Sequence, residues 1–255
     1  MQLKKIDEIK DAPFTALLYC PPGVGKTTAI GLIAEATEGN VLILDVDRTS
    51  GKTLAKGEVV KDTSRVLVHE IENRGKNDAQ GIVGTFQAWS DTLKELTPEF
   101  IKQNNITTIA VDNISELERC ILSDLGAQGK NKGVPALADY QYMQYKLVNS
   151  LRYMKTMGVN IVWTAWESVR QITHPDGTQY SQLIPKVSDK IVDNVCGLCD
   201  VVGKIMVNKE GQHGILLEAT QNIYAKNQID SRKACKVEDF AKFQTAKNEE
   251  KKEDK

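Results

Sequence analysis

The chain has 255 residues, 41% of them hydrophobic and 26% charged, with a formal net charge of -1. That length admits one large α/β core or two small domains, and an ordinary composition with no apolar run near the roughly 20 residues of a membrane span excludes a membrane-spanning chain. A near-neutral balance offers nucleic acid no global attraction, so any such contact must rest on local loops.

Residues 1–10 alternate charged and apolar side chains without the apolar stretch of a signal peptide, which makes the cytoplasm the expected compartment. Residues 15–20 (TALLYC) are a short apolar run ending at Pro21, Pro22 and Gly23, and residues 29–36 then read as a helix. Residues 41–46 (VLILDV) show the continuous apolar pattern of a parallel strand buried on both faces. Residues 65–71 read as another strand, and Phe86, Trp89, Leu93 and Leu96 recur at helical spacing. Residues 106–111 (ITTIAV) form a β-branched strand that closes on Asp112, with a helix marked by Ile114, Leu117, Ile121 and Leu125 directly behind.

Residues 126–135 (GAQGKNKGVP) lack periodicity and read as a loop. Tyr140, Met143, Leu147, Leu151 and Met154 make an amphipathic stripe that Gly158 is placed to end, and residues 159–165 are the next strand. Residues 168–186 are polar, with a turn at 174–177, and read as a loop or a small hairpin; residues 201–207 and 214–219 read as an antiparallel hairpin. Strands alternating with helices and then a hairpin imply an α/β fold, a mostly parallel twisted sheet sandwiched by helices with an antiparallel C-terminal hairpin. One domain is expected over residues 1–232, followed by a charged, disordered tail at 233–255 that is nearly all charge from about residue 242.

Five cysteines, an odd number, do not make a disulfide framework and fit a reducing compartment. Cys196 and Cys199 have C-x-x-C spacing, but His69, His174 and His213 offer no paired ligands, so two buried thiols are expected there in preference to a zinc site.

Pro22, Gly23, Val24, Gly25, Lys26, Thr27 and Thr28 supply what a phosphate cradle needs: glycines that free the backbone, a lysine, a hydroxyl and the start of a helix. Lys26 is placed to meet the β and γ phosphates and Thr27 to ligate Mg²⁺. Cys20 stands where such a loop usually has its first glycine. The competing reading is a Pro-Gly surface turn, which the strand before and the helix after argue against. Asp112 sits where the magnesium shell takes its acidic residue, although a strand-terminal aspartate can also be a turn former. Asp45 and Asp47 are two apart, which on a strand turns both carboxylates to one face, and one of them is the candidate for orienting the attacking water. Capping of the segment after Arg48 by Asp47 is the structural alternative.

Taken in order, PPGVGKTT, VLILDVD, ITTIAVDN, NIVWTAWE and IYAKNQ resemble the RecA-like recombinase ATPases, and among them the small phage ATPases of the Sak single-strand annealing group, over roughly residues 14–230. The resemblance implies ATP and Mg²⁺ as ligands, the adenine resting on the resemblance, and ATP hydrolysis with Asp47 as the catalytic carboxylate. Aspartate in place of the family's usual glutamate implies slow turnover. It places Trp166 at the position of a γ-phosphate sensor, with Thr164 and Glu167 beside it. It implies that Lys226 acts in a neighbouring subunit's site, with Gln228 in place of a second cation, and hence self-association into a ring or filament. Its DNA-facing loops correspond to residues 126–135, with Lys130 and Lys132, and to residues 168–186, with Arg170, His174, Tyr180 and Lys186. The implied partners are single-stranded DNA and a single-strand-binding protein, with no membrane, in phage recombination or annealing inside a bacterial host's cytoplasm.

Two other functions compete. An AAA+ helicase loader or remodeller is expected to carry a helical lid with an arginine after the core, where this sequence has a hairpin and a charged tail. A nucleotide-dependent switch would bind a protein partner and no DNA.

Overall fold

The computed structural model describes residues 12–71, 84–210 and 212–242. The expectations for residues 1–10 and for the tail beyond 242 lie outside the described residues. In chain order the elements are β1 (Thr15–Tyr19), α1 (Lys26–Ala36), β2 (Asn40–Asp45), α2 (Ser50–Ala55), β3 (Val66–Glu70), α3 (Thr85–Glu95), α4 (Pro98–Gln103), β4 (Ile106–Asp112), α5 (Ile114–Gln128), α6 (Leu137–Met154), β5 (Asn160–Ala165), β6 (Glu167–Thr173), β7 (Gln179–Pro185), α7 (Val192–Leu198), β8 (Val201–Val207), β9 (His213–Leu216), β10 (Lys226–Asn227) and β11 (Ala234–Lys236).

The main sheet runs β11-β9-β8-β1-β5-β4-β2-β3, with β10 also paired to β8. β1, β5, β4, β2 and β3 are mutually parallel, and β8 joins β1 in parallel. β9, β10 and β11 are antiparallel additions to that edge. Side chains on each central strand alternate between two cores, as the two-residue strand period requires. Leu17, Leu42, Leu44, Val111, Ile161 and Trp163 face Trp89 of α3, Leu117 and Ile121 of α5 and Leu147 and Leu151 of α6. Ala16, Leu18, Ile43, Ala110 and Val162 face Ala29, Ile30 and Ile33 of α1. Burial on both faces is why these strands read as unbroken apolar runs. Among the described residues no helix is long and apolar enough to cross a membrane.

Two expectations change, and one open alternative is decided. Residues 126–135 are not all loop, because α5 continues through Gln128. A Cβ at Gly126 would come within 2.5 Å of the Gly133 carbonyl oxygen, so the glycine lets the following chain fold back on the helix instead of ending it. Residues 233–242 are not tail: β11 extends the sheet, and Val237, Phe240 and Ala241 of the following 3-10 turn (Val237–Lys242) are buried against the α1 side of the core, with Phe240 edge-on to Phe14. Residues 168–186 are a hairpin, β6 with β7, held apart from the main sheet as a two-stranded ribbon.

Candidate functional site

Ligands of parallel α/β sheets bind beyond the carboxyl ends of the strands, and there the candidate residues gather. The chain leaves β1 at Tyr19 and reaches α1 through residues 20–25. Cys20 is buried, and burial raises its thiol against the pull of Lys26 and Lys204. Gly23 and Gly25 both have positive φ, 78° and 108°, which a side chain would strain. Gly25 is the residue before the helix, and its carbonyl accepts from the Ala29 amide at 2.8 Å. A Cβ on Gly25 would lie 2.9 Å from the His213 ring, so β9 reaches over the loop. No motif in the sequence marked His213, because only the sheet order brings a residue 188 positions later beside the loop.

Thr27, in the first turn of α1, donates from Oγ1 to Asp112 Oδ2 at 2.5 Å. Asp112 ends β4, is 2% exposed, and also accepts from Ser50 Oγ at 3.0 Å on the same oxygen. Its Oδ1 accepts from Thr164 Oγ1 on β5 at 2.6 Å. The carboxylate is therefore held by three hydroxyls from α1, α2 and β5. Lys26 is buried beside this group, and its charge acts on Asp47.

Asp45 and Asp47 meet different partners. β2 ends at Asp45, so strand alternation no longer governs Asp47. Asp45 is wholly buried and accepts from the Ser50 and Thr49 amides at 2.8 and 3.4 Å, so the capping role falls to it and not to Asp47. Asp47 Oδ2 accepts from Asn113 Nδ2 at 2.6 Å, while Oδ1 is buried without a hydrogen-bond partner among the described residues. Burial, followed by the charges of Asp112, Glu116 and Asp45, pushes the Asp47 carboxyl up to about 7. A buried carboxylate oxygen without a partner leaves an acceptor for a water brought beside it.

At the end of β5, Thr164 is the side chain that reaches the Asp112 carboxylate. Trp166 points its ring toward two cations, with the Arg119 guanidinium carbon 5.8 Å and Lys186 Nζ 5.6 Å from the centroid. Its amide donates to Ser115 Oγ at 2.9 Å, and Ser115 Oγ donates to the Lys186 carbonyl at 2.7 Å, which ties α5 to the base of the ribbon. Glu167 pairs with the buried Lys204 ammonium, which stands over the Tyr19 ring.

The remaining candidates lie elsewhere. Lys226 sits on β10 opposite Val202, near the start of β8 and thus at the sheet end away from the phosphate loop. Its ammonium donates to the Cys199 carbonyl at 2.7 Å, behind α7. Lys130 and Lys132 are exposed beyond α5. Arg170 is occupied by Asp193 and Gln182, at 3.0 and 3.1 Å. Cys196 and Cys199 are buried, and burial raises the Cys196 thiol to about 12, which suits inert thiols.

The oxygens around Thr27 and Asp112 fit magnesium, which takes one or two protein oxygens and fills its octahedron with water and phosphate. Among the described residues no cluster of three or more His, Cys, Asp or Glu could hold a metal by itself.

The family described as "AAA domain" matches residues 12–229. No curated protein matches the chain. Among solved structures, a KaiC-like protein of Pyrococcus horikoshii is similar over 82% of this chain and 81% of its own, at 15% identity and a TM-score of 0.45. An ATP synthase subunit of Nanoarchaeum equitans is similar over 78% of this chain, at 11% identity and a TM-score of 0.46. The assembled ATPase EscN of the type III secretion system of enteropathogenic E. coli is similar over 76%, at 16% identity and a TM-score of 0.45. The chain spans 46% and 43% of the lengths of the latter two.

Proposed function

The chain belongs to the AAA-domain family, and on that premise we propose that it binds ATP with magnesium at residues 22–28 and hydrolyses it. The observation that carries this reading is the 2.5 Å hydrogen bond from Thr27 to Asp112, which joins a helix-start hydroxyl to a strand-end carboxylate behind a glycine-bearing loop. Backbone amides of the loop and the N-terminus of α1 bind phosphate oxygens, and Lys26 draws the β and γ phosphates into line. Bound at Thr27 and Asp112, magnesium would neutralise charge on those phosphates. The Asp47 Oδ1 oxygen accepts a proton from a water as that water's oxygen bonds to the γ phosphorus and the bond to the bridging oxygen breaks, releasing ADP and phosphate. Calorimetric titration with ATP tests the binding step, and absence of heat with magnesium present rejects it. Phosphate release by Asp47→Ala tests the hydrolytic step, with ATP affinity expected to survive and turnover to be lost.

We infer further that this activity acts on single-stranded DNA as a partner, bound by a ring or filament of the chain in phage recombination or annealing. Support comes from the motif order, the exposed Lys130 and Lys132, and an aromatic pair at the ribbon tip, His174 and Tyr180, with ring centroids 5.2 Å apart. Lys226 completes a neighbour's site in this reading, which requires it to leave the Cys199 carbonyl. Lys226→Ala should then abolish turnover while leaving nucleotide affinity nearly intact, and normal turnover rejects the role. A second reading, a loader, remodeller or nucleotide switch that acts on a protein, is favoured by the capture of Arg170 by Asp193 and by the seat of Lys186 on Trp166. ATP turnover with and without single-stranded DNA separates the two. Lack of stimulation and of salt-sensitive binding selects the protein partner.

A further inference from the structure

Asn113 follows Asp112 and carries two jobs on one side chain. Its Oδ1 accepts from the Glu116 amide at 2.9 Å, which caps α5, and its Nδ2 donates to Asp47 Oδ2 at 2.6 Å. The residue is wholly buried, and its carbonyl also accepts from the Leu117 amide at 3.1 Å. Capping alone does not explain an amide here, because serine or aspartate would cap the helix about as well. Neither of those reaches Asp47 as a donor from the same place: a serine hydroxyl is too short, and an ionised aspartate has no proton to give.

The effect on Asp47 is specific. A carboxylate on a free side chain can offer either oxygen and turn about its own bonds. With Oδ2 held, Asp47 presents Oδ1, and Oδ1 is the oxygen left buried and unpartnered among the described residues. Asp47 lies outside β2 in a turn where the next residue, Arg48, has φ 57°, so no strand ladder fixes its direction. The helix cap does so at one remove, through an amide that α5 itself immobilises. We propose that Asn113 is a positioning residue that aims Asp47 Oδ1 at the attacking water. This rests on the reading of Asp47 as the group that takes the water proton.

The test uses the full-length chain and four variants, Asn113→Ser, Asn113→Asp, Asp47→Ala and the Asp47→Ala/Asn113→Ser double, with ATP affinity, phosphate release and thermal unfolding measured for each. Asn113→Ser keeps a cap and loses the amide donor, and its turnover should fall about 100-fold, the cost of a misplaced catalytic group. ATP affinity should stay close to the parent's, and the unfolding midpoint should fall only by the few degrees that one lost buried hydrogen bond costs. Asn113→Asp preserves shape and cap while setting a second carboxylate against Asp47, and its turnover should fall at least as far. The double variant should be no slower than Asp47→Ala, because a residue that acts only through Asp47 has nothing left to aim. Normal turnover in both Asn113 variants beside an inactive Asp47→Ala overturns the proposal. So does a loss of turnover in Asn113→Ser that is matched by lost affinity or by a midpoint lowered well beyond the cost of one hydrogen bond, the mark of a merely structural role. Normal turnover in Asp47→Ala, or no phosphate release by the parent chain, defeats instead the underlying assignment of Asp47, and the role of Asn113 falls with it.

Discussion

The phosphate-loop end of the sheet and the β6–β7 ribbon both carry charged candidate residues, yet they are built on opposite terms. At the loop end, Asp112 is almost fully buried and tied by hydroxyls from α1, α2 and β5, so its position is set by parts of the chain far apart in sequence. In the ribbon the outer stretch of β6 and β7 pairs strand to strand, with the 222–224 segment joining only at Leu183, and its cations are claimed by Asp193 and by the Trp166 ring near the surface. A buried polar network is costly to disturb because each lost bond leaves a desolvated group behind, whereas a surface ion pair exchanges readily with water. The loop end is therefore the part suited to chemistry that demands fixed distances, and the ribbon the part able to adapt to a partner.

That contrast can be broken or sharpened by measurement. The largest effect is expected for Lys26→Ala, which should lower ATP turnover by about 100-fold or more, as loss of a preorganised charge at a transferring phosphoryl group does. Turnover within a few fold of the parent would remove the loop end from the chemistry.

A second test uses pH on protein free of nucleotide and metal. Asp47 is pushed up to about 7 by burial and by its carboxylate neighbours, whereas an unfolded aspartate ionises near about 4. As pH rises between those values the unfolded chain sheds its proton first, so stability falls across that window and levels off above about 7. Asp47→Asn should make the slope shallower but not flat, because burial also raises Asp45, Glu118 and Asp124, and it should match the parent near pH 4 and exceed it near pH 8 in urea unfolding. Parallel pH profiles for the two proteins would show that Asp47 is not held in this way.

Next in size, Thr164→Val keeps shape but strips a buried carboxylate oxygen of its donor. It should cost about 1–3 kcal/mol and lower the thermal midpoint by about 2–4 °C for each kcal/mol. An unchanged midpoint would mean that Asp112 does not depend on β5. The smallest effect is expected in the ribbon, where Arg170→Ala should change stability by less than about 1 kcal/mol. If the ribbon contacts DNA phosphates, the same variant should flatten the salt dependence of binding by about one unit in log-log slope. A large loss of stability there would erase the contrast between the regions.

Much of the core was legible in the residues because β1, β2, β4 and β5 are buried on both faces and so read as unbroken apolar runs. The candidate loop at residues 22–28 was legible because a phosphate cradle needs glycine, lysine and threonine at fixed local spacing. The short helices α2, α4 and α7 were not, since six or seven residues hold too little periodicity to separate from a turn. The boundary placed at residue 232 failed for a related reason. Three residues of β11 and one buried phenylalanine, Phe240, complete the α1 side of the core from within a stretch that reads as charged.

The sequence by itself determined the layered α/β class and singled out the glycine-bearing loop at residues 22–28 and the strand-end aspartates as candidates, because each shows in residues within one turn or one strand. Tertiary structure alone decided that Asp45 caps α2 while Asp47 meets Asn113, that Thr164 joins Thr27 on Asp112, and that His213 stands over Gly25. Those pairings follow from the order in which strands lie side by side and from where each strand ends. Neither is a local property of the chain, since both are set by how the two apolar faces of the sheet are covered at once.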